Sequence, residues 1–197
     1  MFGQMFGLFA KSQTGKQLVL AQLNARLQPM HRAEYFEEAL DSTLQDLGLG
    51  EVSGGGSLLA SSGEVTHCNI EILAPEISSE LIQVVVETLE ELGAPKGSLL
   101  MDASGKKVAF GTSEGLAVYL NGTDLPAATY AECDSNFVLD EFNRLLGTEG
   151  GVYSHWLGAK ETAFYMYGRS FAQMKASLEG FLASYPLCRL CRIEQIA

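Results

Sequence analysis

Cys188 and Cys191 stand three residues apart near the end of the chain, in SYPLCRLCRIEQIA. Such a C-x-x-C pair can serve two chemistries. A zinc knuckle needs both thiols on a tight turn, with two further ligands at similar spacing. A dithiol redox centre needs the pair at the start of a helix that follows a strand. The remaining thiols and imidazoles, Cys68, Cys133, His31, His67 and His155, form no second C-x-x-C and no H-x3–5-H. The pair itself comes after a helical pattern and Pro186. LCRLCRIEQI therefore reads as a last strand, whose alternation sends the two thiols to opposite faces. One cysteine is expected in the core and the other partly exposed. No metal site and no cofactor is implied.

Other stretches carry polar groups in positions that could bind. GTSEGLAVYLNGTDLP sets Glu114, Tyr119, Asn121 and Asp124 in or beside glycine-rich turns, where sites on rigid scaffolds are commonly found. YAECDSNF offers Glu132, Cys133 and Asp134 ahead of a helix, with Asp134 a natural N-cap. YSHWLG holds His155 and Trp156, the single tryptophan. GGGS at 54–57 lacks the lysine and following helix of a phosphate loop and reads as a strand bulge. No Ser-His-Asp order, H-E-x-x-H or G-x-S-x-G is present, so no catalytic residue is assigned. Glu114, Tyr119, Glu132, Asp134 and His155 are the expected ligand- or partner-binding residues.

The elements that must position them follow from periodicity. Residues 1–31 read as an apolar arm, MFGQMFGLF, followed by a short helix over 17–28 ended by Pro29. AEYFEEALDSTLQDLG spaces its apolar residues by three and four and predicts an amphipathic helix. A hairpin turning at Ser61–Gly63 comes next. A helix capped by Ser78 or Ser79 and ended by Gly93 follows, then a strand at 98–102. The same order returns after a linker at 105–131 that holds two short strands. A helix over DSNFVLDEFNRLLG leads to a hairpin turning near Gly158–Lys160. A helix opened by the capping box of Ser170 and Gln173 precedes the final strand. The expected fold is α+β: two tandem α-β-β-α-β repeats, residues 32–104 and 132–197, related by a duplication of about 65–70 residues. Each is a ferredoxin-like variant with helices on one face of a mostly antiparallel sheet. The apolar linker strands favour close docking of the two units and suggest one longer sheet.

Composition narrows the function classes. Twenty-four acidic against 13 basic residues give a net charge of −11. That disfavours phosphate backbones and anionic membranes, and attracts a basic protein partner. No run is apolar enough for a membrane helix, and the apolar start lacks a basic leader and a cleavage site. Sparse cysteines exclude a disulfide scaffold, so the cytoplasm is the expected location.

Six phrases, GEVSGGG, THCNIEI, LEELGAPKGS, FGTSEGLAVYLNGTDLP, YAECD and PLCRLCRIEQIA, resemble those of a family of uncharacterised bacterial proteins of about this length. The resemblance spans residues 32–197 and brings no catalytic residue with it. By type alone, the small acidic chain is similar to immunity proteins that neutralise bacterial toxins. Three functions are therefore expected: a non-enzymatic protein-binding module, a small-molecule-binding protein or enzyme with its site at the junction of the repeats, or an assembly subunit that docks on a copy of itself through the apolar arm. Charge-driven capture of a basic partner predicts an association rate that falls steeply with salt. A rate preserved at high salt, read by stopped-flow mixing, would remove that reading.

Overall fold

The computed structural model describes residues 15–197; the expected arm at 1–12 lies outside the described residues. The chain forms two ferredoxin-like repeats. The first runs β1 (Gln17–Leu23), α1 (Pro29–Arg32), a π-helical segment (Ala33–Glu37), α2 (Glu38–Asp46), β2 (Glu51–Leu59), β3 (Val65–Ala74), α3 (Ser79–Glu91) and β4 (Ser98–Asp102). An added edge strand, β5 (Lys107–Phe110), follows. The second repeat runs β6 (Glu114–Asn121), α4 (Ala127–Glu132), α5 (Ser135–Leu146), β7 (Gly150–Leu157), β8 (Glu161–Gly168), α6 (Phe171–Ser184) and β9 (Arg192–Gln195). The sheets are β2-β3-β1-β4-β5 and β7-β8-β6-β9, with every pairing antiparallel.

Residues 17–28, expected as a helix, begin instead with β1. The leucines at 18, 20 and 23 fit both periods, because a short apolar run does not separate a buried strand from a helix. What decides is position. β1 is the central strand, paired with β3 on one side and β4 on the other, and both its faces carry apolar residues. The linker strand at 116–120 has the same role in the second repeat, pairing with β8 and β9 as β6. Each repeat is thus β-α-β-β-α-β, with order 2-3-1-4 in its sheet. The sheets stay separate rather than joining; among the described residues an isolated bridge, Pro95 to Ser113, lies between them.

Local chemistry supports the elements. Ser78, Asp134 and Ser170 cap α3, α5 and α6, their side chains accepting from the N–H groups of Leu81, Asn136 and Gln173. In the first repeat Phe36, Leu40 and Leu44 of the α1–α2 stretch and Leu81, Val85 and Leu89 of α3 pack on one sheet face. That face holds Val19, Ala21, Leu23, Ile70 and Ile72. The second core gathers Leu116, Val118, Phe164 and Met166 of its sheet under Val138, Phe142, Met174 and Leu178 of its helices.

LCRLCRIEQI is not a strand throughout. Cys188 closes a short 3-10 turn, Leu190 adopts φ +62, and β9 starts only at Arg192. The Cys191 N–H donates to the Cys188 carbonyl at 3.2 Å, so the pair sits on a tight turn. Pro186, which cannot donate to a ladder, holds the strand off until this turn is complete. Cys188 is buried and Cys191 half-buried, the distribution expected, but the turn and not strand alternation produces it. All four cysteines are free thiols. Among the described residues no helix is long and apolar enough to cross a membrane.

Phe142 is fully buried and meets the edges of the Phe164 and Phe181 rings, with centroids 5.7 and 6.0 Å away. Phe142→Ala is expected to cost about 3–5 kcal/mol in urea unfolding, the range for a large core aromatic. A loss below about 1 kcal/mol would contradict this account of the second core.

Candidate functional site

The open face of the second sheet is where an antiparallel sheet would ordinarily meet water. Here it carries Ala117, Tyr119, Ala163, Tyr165 and Tyr167, and all of them belong to the core of the first repeat. This aromatic face is a buried inter-repeat junction. Glycine makes room for it: Gly115 pairs with Tyr167, and a Cβ there would meet the Tyr167 ring at 2.9 Å. Tyr153 stacks on Tyr35 of the first repeat at 4.5 Å and meets the edge of Tyr167.

Polar groups fasten the junction. Tyr119 and Tyr165, from neighbouring strands of the second sheet, donate to one oxygen of Glu64 at 2.6 and 2.7 Å. Arg26, in the segment after β1, pairs with the same oxygen and donates to the Tyr119 hydroxyl. The Arg26 backbone N–H donates to the Tyr167 hydroxyl at 2.7 Å. Above Tyr119 lies the Arg192 guanidinium, 3.3 Å from the ring centroid. Arg192 is itself clamped through two nitrogens by Glu161 at 2.7 and 2.9 Å. Burial alone would raise the Glu64 pKa. The hydroxyls of Tyr119 and Tyr165 and the charge of Arg26 outweigh it and hold the carboxyl below its usual range. Burial and the bond to Glu64 push Tyr119 up to about 12.

Beside this network a cleft of about 390 Å3 opens between the repeats. Arg26, Gln28 and Val65 line it from the first repeat, and His155, Trp156 and Tyr165 from the second. Gln28 holds the edge strand in place, its side-chain amide donating to the His155 carbonyl at 2.8 Å. A bulge in β7 between Val152 and Ser154 re-aims the following residues toward the junction. Buried Ser154 then lies 2.9 Å from His31 Nδ1, and the His31 ring stands 5.8 Å from His155. Burial, and next the neighbouring His155, lower the His31 pKa.

The five expected site residues separate. Tyr119 and His155 reach the junction. Glu114 also bridges the repeats, but as a brace: one oxygen takes Lys96 at 2.8 Å and the other takes the Phe171 N–H at the start of α6. Glu132 ends α4, and Asp134 caps α5 through the Asn136 N–H at 2.8 Å; neither lines the cleft. Asn121 and Asp124 bond to one another in their turn at 2.9 Å. Sequence reasoning missed Arg26, Glu64 and Tyr165. Arg26 lay inside the supposed helix and Glu64 just after the expected hairpin turn at Ser61–Gly63, so only pairing across the junction reveals them. Glu37, at the end of the π-helical segment, pairs with buried Arg32 at 2.5 Å.

No family model matches the chain, and no curated protein matches it. Among solved structures it is similar to the first two RRM domains of the yeast poly(U)-binding protein. Identity there is 13%, with 91% of this chain and 99% of that chain covered and a TM-score of 0.26. The regulatory subunit of aspartate kinase from Thermus thermophilus matches at 10% identity, over 84% and 93% of the two chains, with a TM-score of 0.27. An anthrone oxidase-like protein matches at 12%, over 94% and 95%, with a TM-score of 0.27. At these scores none bears on function.

The junction makes stability depend on pH. Glu64, with its folded pKa lowered, contributes stability that is present above its ordinary 4.5 and lost as pH falls through the folded value. His31, also lowered, adds a loss as pH falls below 6.5. Tyr119, raised to about 12, contributes stability that is present below 10 and lost as pH rises from 10 toward 12. Glu64→Gln is expected to destabilise by about 1–3 kcal/mol at pH 7 and to flatten the acid limb below pH 4.5. Urea midpoints across pH test both; an acid limb unchanged in the variant would contradict the assignment.

Proposed function

We propose that the chain is a non-enzymatic binding protein whose site is the cleft between the repeats. One observation carries the reading: a cavity of about 390 Å3 with aromatic, imidazole, amide and guanidinium groups drawn from both repeats. That size falls within the range of small-molecule sites, which favour unit junctions. Arg26 already has its charge met by Glu64, so a bound anion would gain little there. The walls of Val65, Leu59, Trp156 and Tyr165 suit a small, planar, mostly apolar molecule. Gln28 and His155 supply polar groups at its edge. Capture of a basic protein partner, the other reading, has the net charge of −11 behind it. The cleft has a defined geometry behind it and is preferred for that reason.

Trp156 is the single tryptophan and lines the cleft, so it reports occupancy directly. The neutral dye N-phenyl-1-naphthylamine is expected to bind saturably at one site per chain, with energy transfer from Trp156. Val65→Phe, which fills the cleft, should weaken the dye at least about tenfold, a change of about 1.4 kcal/mol. Dye binding that Val65→Phe leaves unchanged would place any apolar site elsewhere and overturn the proposal.

A further inference from the structure

The C-x-x-C of Cys188 and Cys191 lines no part of the cleft, yet the backbone between the two thiols is unusual. Arg189 has φ −61 and ψ +139, and Leu190 has φ +62. This is the backbone of a type II turn, closed by the Cys191 N–H on the Cys188 carbonyl. Glycine is the usual occupant of its second central position, and a leucine there is strained. Leu190 is 67% exposed, so burial of its side chain does not offset the strain. The turn is held from its two ends instead. Pro186 opens the short 3-10 turn, Leu187 and Cys188 sit in the second core, and Arg192 pairs with Tyr119 as β9 begins.

Such a turn brings the α-carbons of its first and last residues within about 7 Å, and a disulfide spans about 4.4–6.8 Å between α-carbons. The backbone span therefore fits the bond without a change of fold. Both thiols are free. A third, Cys133, packs on the same core at the end of α4. The neighbouring Asp134 N–H donates to the Tyr185 hydroxyl at 3.1 Å, which holds that end of α4 beside the turn. Cys68 lies apart, in the core of the first repeat. Among the described residues no three His, Cys, Asp or Glu groups are placed to hold a metal. The pair does not open a helix, as the dithiol of a disulfide oxidoreductase does; β9 follows it. Intramolecular bond formation needs neither arrangement.

We propose that Cys188 and Cys191 form a reversible disulfide across this turn, with a small-molecule disulfide such as glutathione disulfide as the oxidant. The Cys191 thiolate attacks one sulfur of the oxidant, which forms a mixed disulfide and releases one thiolate. The Cys188 thiolate then attacks Sγ of Cys191 and releases the second. One small-molecule disulfide is reduced to two thiols as the two cysteines are oxidised, and the cysteine protons pass to the released thiolates. Cys191 attacks first because it is half-buried and Cys188 is buried. Burial raises the pKa of both thiols, Cys188 to about 12, so the exchange is slow at neutral pH. The bond ends one residue before Arg192, whose guanidinium lies over Tyr119. It thereby ties the second core to the strand that carries Arg192 to the junction.

The test equilibrates the folded full chain with reduced and oxidised glutathione, then quenches it in acid and alkylates it in denaturant. Two of the four thiols are expected to become protected. Trypsin cuts at Arg189, between the two cysteines, so the bond should link residues 176–189 to residues 190–192 in the mass spectrum. In Cys188→Ser the second attack is lost, and a glutathione adduct should accumulate on Cys191. Because the turn is preformed, the equilibrium constant for closing the bond should be at least about tenfold larger in the folded chain than in the urea-unfolded chain. Four thiols left open to alkylation after equilibration with glutathione disulfide would overturn the proposal. A bond that includes Cys133 or joins two chains would overturn it as well, and so would equal constants in the folded and unfolded chains. Dye binding at the cleft is read separately, so a failure here leaves that result standing.

Discussion

One oxygen of Glu64 receives two tyrosine hydroxyls and the Arg26 guanidinium. The tyrosines belong to the second repeat, the acid and the arginine to the first. Without that anion both tyrosine hydroxyls would lose their acceptor and Arg26 its counter-charge, an expensive arrangement in a poorly hydrated site. With it, the open face of the second sheet becomes an internal surface. The apolar flank of the tyrosines adds buried area, while Arg192 stacked on Tyr119 and clamped by Glu161 fixes the ring orientation. The relative placement of the repeats follows from this cluster and from the Glu114 brace at the other end of the junction.

The cleft is a by-product of that geometry. The β7 bulge turns the edge strand toward the first repeat, and Gln28 ties the strand's backbone down. The walls come from a hairpin strand of one unit, a post-strand segment of the other and the edge of the bulged strand. Each wall rests on rigid structure, so the cavity is preformed rather than assembled by a ligand. Beside it, burial and the neighbouring His155 ring oppose protonation of His31.

Much of the architecture is legible in the residues. Ser78, Asp134 and Ser170 mark helix starts, and their side chains make the expected caps. The hairpin turns at 61–63 and 158–160, the strand at 98–102 and the twofold recurrence of elements all lie where composition and periodicity place them. The first strand was hidden because a central strand, apolar on both faces, lacks the alternation that identifies a half-buried one. The last segment was misread because Pro186 and the positive φ of Leu190 impose a turn that a periodicity count does not register.

Sequence by itself determines the class of fold, the capped helices, the net charge and the absence of a recognisable catalytic motif, since each depends on composition or on residues close along the chain. Tertiary structure alone decides which polar residues meet. Glu64 and Tyr165 are 101 positions apart, and Arg26 and Tyr119 are 93 apart. Glu132 and Asp134, adjacent to a promising cysteine in sequence, end a short helix and cap the next one. Tyr119 and His155 reach the junction because a sheet face that could have been solvated is buried against the neighbouring repeat. That choice rests on complementary surfaces brought together across the whole chain, and no local spacing encodes it.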